Sequence, residues 1–305
     1  MKRIKVANSD LNVSEISLGC MRIAEMSNQA IATLIHTALD EGIDFFDHAD
    51  IYGGGQSEAK FSAALGMNPS LRERMMLQTK CGIRQGSFDF SKEHILAAVD
   101  GSLQRLRTDY VDVLLLHRPD ALVEPEEVAE AFTILESSGK VRHFGVSNQN
   151  PMQIELLRKY VKQPILFNQL QFSITNTGMI DAGINVNMEI DSSIDRDGSI
   201  LDYCRLNEIT IQPWSPFQYG FFEGVFLDND KFPELNQAID TLAAAKGVTN
   251  TAIAIAWILR HPARMQPIIG TTRPARVKEI CKASDITLTR QEWYAIYRAA
   301  GNKLP

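Results

Sequence analysis

Apolar runs of strand length and amphipathic stretches of helix length take turns along nearly the whole chain, and that alternation limits the fold more than any single motif. Strand-like runs begin at Ile16, Phe45, Met75, Val111, His143, Leu166, Thr210 and Met265. The clearest is Val111–His117, Val-Asp-Val-Leu-Leu-Leu-His. Between them lie helical stripes with start and stop signals. Ser27 precedes Ile31, Leu34, Ile35 and Ala38, with Gly42 after them, and Ser91 precedes Ile95, Val99, Leu103 and Leu106. Further helices are expected over 125–138, from Asn150-Pro151 onward, and over 200–206, 233–246, 251–260, 276–283 and 289–300. Eight β/α units in 305 residues predict a (β/α)8 TIM barrel of the α/β class. An open dinucleotide-binding sheet would need a Gly-x-Gly-x-x-Gly turn after a strand, and none is present. Residues 1–14 alternate polar and apolar around Asn8-Ser-Asp10, which predicts an N-terminal β-hairpin. No low-complexity tract or linker divides the chain, so residues 1–305 read as a single barrel domain with extra C-terminal helices.

The net charge of -6 argues against a nucleic-acid or anionic-membrane surface. Cys20, Cys81, Cys204 and Cys281 are scattered without a Cys-x-x-Cys pair, so no metal site or disulfide framework is suggested. Reduced, buried thiols fit better. The polar start of the chain and the lack of an apolar run of spanning length lead to a cytoplasmic expectation.

A TIM barrel gathers its functional side chains at the C-terminal ends of its strands. Here those ends read Cys20, Asp47, Lys80, His117, Ser147-Asn148, Gln169, Trp214-Ser215 and Gly270-Thr271. Taken singly, each has an ordinary explanation: Asp47 caps a turn, Lys80 is solvated, His117 is structural and Tyr52 packs. Gly53 to Gly55 match no phosphate-loop pattern and read as a turn before a helix near Ser57. Brought together at one mouth, the same residues make a proton-transfer group. A phenol with a reference pKa of about 10 acts near neutral pH only beside a cation. Lys80 is that cation, Asp47 orients it, and His117 donates to a substrate oxygen. On bare residues, a barrel lysine beside a carboxylate also suits a Schiff-base enzyme.

The motifs resemble those of the aldo-keto reductases. Asp47-His-Ala-Asp-Ile-Tyr52-Gly is similar to that family's Asp-x-Ala-x-x-Tyr segment, and Leu103-Gln-Arg-Leu-Arg-Thr-Asp-Tyr-Val-Asp-Val-Leu-Leu-Leu-His117 to its second signature. Val141-Arg-His-Phe-Gly-Val-Ser-Asn148 and Ile268-Ile-Gly-Thr-Thr-Arg-Pro-Ala-Arg276 extend the likeness, which spans residues 16–283. The resemblance implies a reductase of small-molecule aldehydes or ketones with Asp47, Tyr52, Lys80 and His117 as catalytic tetrad and Tyr52 as general acid. It implies that Ser147, Asn148 and Gln169 hold a nicotinamide carboxamide, with Trp214 stacked on the ring and Ser215 beside it. Gly270, Thr271, Thr272 and Arg273 would meet the phosphates ahead of a helix. Arg276 would take a 2′-phosphate, favouring NADP (NADPH) over NAD. Gly270 and Ile280 depart from the family, where Lys and a polar residue are common. The fold also occurs in channel-associated β subunits, so a cofactor-sensing regulatory subunit with little turnover is the alternative. The short C-terminal tail suggests an open substrate pocket, with Phe217, Tyr219, Phe221 and Phe222 as candidate lining and the segments 172–199 and 217–231 as its walls. Neither the physiological carbonyl nor the oligomeric state is legible.

Overall fold

Phe45, Phe46 and Asp47 pair in parallel with Met76, Leu77 and Gln78 on one side, while Phe46 and Asp47 pair with Leu18 and Gly19 on the other. This pattern repeats around a barrel in the computed structural model, which describes residues 1–304. The strands are β1 Ser17–Gly19, β2 Phe45–Asp47, β3 Met76–Cys81, β4 Val111–His117, β5 Val141–Ser147, β6 Ile165–Gln171, β7 Thr210–Trp214 and β8 Ile268–Ile269. They form one 8-stranded parallel sheet in sequential order, with β8 beside β1. The ring is nearly closed, because the Gln266 backbone N–H donates to the Ile211 carbonyl at 3.0 Å. The expected eighth strand shrinks to two residues for a local reason. Pro267 has no N–H to give to a ladder, though its carbonyl accepts from Ser17 N at 3.0 Å.

Helices cover the outside: α1 Asn28–Asp40, α2 Gln56–Leu65, α3 Lys92–Leu106, α4 Pro125–Ser137, α5 Pro151–Arg158, α6 Ile200–Leu206, α7 Pro233–Lys246, α8 Asn250–Leu259, α9 Pro274–Cys281 and α10 Arg290–Ala299. The three caps read from the sequence form as expected. Ser27 accepts from Ala30 N, Ser91 from His94 N, and Asn150 forms a reciprocal capping box with Gln153. Within the segment 172–199, expected to be irregular, a helix forms over Gly178–Ile184. No single helix among the described residues is long and apolar enough to cross a membrane. All four cysteines are free and buried.

Two apolar clusters result from the period-2 alternation of the strands. The larger fills the space between sheet and helices and includes Leu77, Leu114, Leu116, Phe144 and Val146. The smaller lies inside the barrel, where Phe45, Val113, Leu115 and Phe167 meet Val6, Leu11 and Val13 from the N-terminal hairpin, Arg3–Lys5 with Asn12–Ser14. The hairpin plugs the floor. Each large apolar side chain buried there contributes about 2–3 kcal/mol. Gly145 is required by close approach: a Cβ there would lie 2.6 Å from Leu115 Cδ2 and 2.8 Å from the Phe167 carbonyl oxygen.

Candidate active site

Above the apolar floor the barrel interior turns polar. Gln78 Nε2 donates to Asp47 Oδ1 at 2.6 Å and to Gln212 Oε1 at 2.9 Å. Gln212 Nε2 donates to Gln266 Oε1 at 2.9 Å, and Gln266 Nε2 to the Ser14 carbonyl at 2.7 Å. Gln169 Nε2 donates to Asp47 Oδ1 at 3.0 Å and to Gln212 Oε1 at 3.3 Å. A buried ladder of glutamine amides therefore joins Asp47 to the hairpin. Because a carboxylate only accepts, the Gln78 and Gln169 amides have to turn their nitrogens toward it.

Lys80 is reached next on β3, two residues beyond Gln78 and on the same face. Its side chain has 0% exposure. Nζ lies 2.8 Å from Asp47 Oδ1 and 2.9 Å from Oδ2, donates to the His48 carbonyl at 2.7 Å, and donates to Tyr52 Oη at 3.0 Å. Burial alone would drive this ammonium toward neutrality, but Asp47 and the Tyr52 oxygen outweigh it and raise its pKa. Its three N–H groups are all engaged. A charged, fully occupied ammonium is not a free amine, which argues against the Schiff-base reading.

Tyr52 sits in a tight turn over Tyr52–Gly55 that leaves β2, with Gly53 at φ 58° and Gly54 at φ 62°. At Gly53 a Cβ would come within 2.6 Å of Ala24 Cβ, so both backbone and space select glycine after the phenol. The Tyr52 pKa is raised, chiefly by burial; Lys80 pulls it down and Asp47 pushes it up. The sequence reasoning weighed only the lysine. The His117 ring meets Tyr52 edge-on at 6.0 Å between centroids. Burial, with Lys80 and Arg118 nearby, holds its pKa well below the ordinary value, so the imidazole is neutral.

Asp47, Tyr52 and His117 open onto a cleft of about 580 Å³ whose walls also carry Ser147, Asn148, Gln169, Trp214, Ser215, Gly270, Thr271 and Arg276. Lys80 lies beneath this wall. Thr272 and Arg273 do not line the cleft, and the Arg273 side chain is exposed on the surface. Arg276 faces the cleft, and its Nε is buried without a hydrogen-bond partner. Trp214 Nε1 donates to Asn148 Oδ1 at 3.1 Å, and Asn148 Nδ2 to Ser147 Oγ at 2.8 Å. Phe222 stacks on the Trp214 indole at 5.7 Å and 24°, on a ring the sequence reading offered to a cofactor. Phe217, Phe221 and Phe222 line the cleft as expected. Tyr219 does not: it packs on Phe232 at 5.0 Å and accepts from Lys231 Nζ at 3.1 Å.

Sequence reasoning missed two groups. Gln78 and Gln212 were legible in principle, since a polar residue two positions before Lys80 and one in register with Gln169 share the inner face. Arg118, beside His117, lines the cleft and lies over Trp214. It follows the last strand residue directly, and that position was the available signal.

The chain is a (β/α)8 barrel with a Lys-Tyr-Asp cluster and a neutral histidine at its mouth, an arrangement suited to proton transfer. The family model described as "Aldo/keto reductase family" matches residues 15–300. The chain is 37% identical to "Uncharacterized oxidoreductase YcsN" of Bacillus subtilis (strain 168), over 98% of each chain. It is 36% identical to "6-dehydroglucose reductase" of Novosphingobium aromaticivorans, over 99% of this chain and 96% of that one. Among solved structures, an aldo-keto reductase from Klebsiella pneumoniae in complex with NADPH superposes with a TM-score of 0.78 at 24% identity, covering 97% of this chain and 94% of that chain. The protein belongs to the aldo/keto reductase family and is an oxidoreductase.

Proposed function

We propose that the protein reduces an aldehyde or ketone to an alcohol using NADPH, with Tyr52 as the general acid. The observation that carries this reading is the 3.0 Å contact from Lys80 Nζ to Tyr52 Oη, with Asp47 held against the same ammonium. As the carbonyl oxygen gains negative charge, Tyr52 gives it a proton, and the phenolate left behind is stabilised by Lys80. Asp47 keeps the lysine charged and in place. Neutral His117 has one N–H, and donating it to the substrate oxygen fixes that oxygen beside the phenol. Burial raises the Tyr52 pKa and Lys80 pulls it down, so the ammonium offsets part of the cost of forming a buried phenolate.

Bound in this cleft, the nicotinamide would supply the hydride. Several side chains fit such a cofactor. Ser147, Asn148 and Gln169 offer donors and acceptors for a carboxamide, and Trp214 and Ser215 lie beside them. Gly270 and Thr271 stand before the N-terminus of α9, Pro274–Cys281, which favours an anion. The orphaned Nε of Arg276 supports a phosphate contact there, hence NADP over NAD. A 6-dehydroglucose reductase and an NADPH-bound aldo-keto reductase among the similar proteins agree with this direction. The test is a panel of aldehydes, ketones and quinones followed by NADPH absorbance. Turnover in the wild type that survives in Tyr52→Phe would remove the proposed acid.

A further inference from the structure

Arg118 stands next to His117 with φ 74°, a left-handed backbone that is unfavourable for a non-glycine residue. That conformation carries its guanidinium into the cleft, with Cζ 5.6 Å from the Trp214 ring centre and 5.8 Å from that of Phe221. The side chain is partly buried, and burial lowers its pKa. Among the described residues it has no ion-pair partner. The nearest acid in sequence is unavailable, because Asp120 accepts from the Phe90 N–H at 2.9 Å and the Leu122 N–H at 2.8 Å. Of the acids on the cleft wall, Asp47 is paired with Lys80, and Asp228 accepts from the neutral Asn250 Nδ2 at 2.9 Å and forms no ion pair with Arg118. Arg22 lines the same cleft and has no ion pair either. In a chain of net charge -6, three guanidinium groups, those of Arg22, Arg118 and Arg276, thus line the cleft without an ion-pair partner among the described residues.

A guanidinium lying near aromatic rings with no acid beside it keeps its paired N–H donors available. A carboxylate is the group that matches such a fork through two parallel hydrogen bonds. Met21, Ile51 and Phe221 supply apolar walls for a carbon skeleton. We infer that Arg118 sets specificity, and that the preferred substrates are oxo acids whose carbonyl lies against Tyr52 and His117 while Arg118 grips their carboxylate. This rests on the reductase reading above. The carbonyl carbon gains the hydride, its oxygen gains the proton, and the carboxylate is unchanged.

The test compares matched pairs on the full-length protein with NADPH: 4-oxobutanoate against butanal, and 4-carboxybenzaldehyde against benzaldehyde. Arg118→Asn removes the charge with a residue that tolerates the left-handed backbone, and Arg118→Lys keeps the charge without the fork. The wild type should favour the acid of each pair in kcat/KM by about tenfold or more. In Arg118→Asn that preference should fall by about ten- to a hundredfold, mainly through KM, and Arg118→Lys should restore part of it. A preference unchanged by Arg118→Asn, or a wild type that favours the neutral members, overturns the inference while leaving the reductase reading intact. So does a loss of NADPH affinity, measured without substrate, as large as the loss on the acid, since Arg118 would then be a cofactor contact. Should no pair be turned over, the reductase reading is left to the broader panel, and calorimetric binding of 4-hydroxybutanoate decides the inference. Binding lost in Arg118→Asn supports the anion site; no binding, or equal binding, overturns it.

Discussion

Lys80 and Tyr52 share one hydrogen bond of 3.0 Å, made by a lysine whose side chain is fully enclosed and whose remaining donors are taken by Asp47 and the His48 carbonyl. Of the lysine's partners, the phenol and Asp47 both face the cleft, and the phenol alone carries a hydroxyl. Replacing Tyr52 with Phe should therefore lower carbonyl reduction by about 10² to 10⁴ while coenzyme binding stays near the wild-type value. Steady-state rates paired with a coenzyme titration check this, and equal rates in the two proteins would end the assignment.

Arg276 has a buried Nε without a partner and stands in the first turn of α9. Arg276→Ala should weaken NADPH by about tenfold or more and NADH much less, because only the former has a 2′-phosphate to lose a charge-assisted contact. Dissociation constants for both coenzymes measure the difference. Equal losses would place the arginine elsewhere.

Gly145 lies against Leu115 and the Phe167 carbonyl inside the barrel wall. In Gly145→Ala the new methyl would press on backbone, which cannot rotate away, so unfolding stability should drop by about 1–3 kcal/mol. Urea midpoints report it. A variant as stable as the parent would mean that β5 and β6 separate more easily than their packing suggests.

Acid sensitivity follows from imidazoles held neutral. Burial takes the His48 pKa down to about 3 and that of His261 to about 4, and it lowers that of His117 as well. A folded value below the unfolded one of about 6.5 means that the unfolded chain takes up protons first. The stability these groups contribute is present above about pH 6.5 and is lost as pH falls toward the folded values; for His48 the slope approaches about 1.4 kcal/mol per pH unit. Asp50 has the opposite sign. Burial, with Glu58 nearby, raises its pKa to about 7, so its contribution is lost as pH rises through that value. Denaturant midpoints from pH 4 to 8 should show His48→Leu weakening the rise of stability with pH along the acid limb and Asp50→Asn steepening it, because the two contributions oppose each other between about pH 4 and 7. Unchanged limbs in both variants would remove these groups as the cause.

The order of elements, three of the helix caps and the hairpin were legible because each depends on local signals: apolar period, a capping side chain, a proline or glycine at a defined offset. Ser27, Ser91 and Asn150 cap where their positions said they would. The run 265–270 was read too long because a proline's missing donor matters only when a neighbouring strand asks for it.

What the sequence by itself determined is which side chains face inward, since alternation along a strand needs no partner to be known. Only the closed barrel decided what they do there. It set Gln169 against Asp47 as well as on the cleft wall, weighed burial against Lys80 at the Tyr52 hydroxyl, covered Trp214 with Phe222, and left Arg118 without an acid. Each of these outcomes depends on distances between residues far apart in the chain and on how much water is excluded around them, quantities that come into existence only when the strands meet.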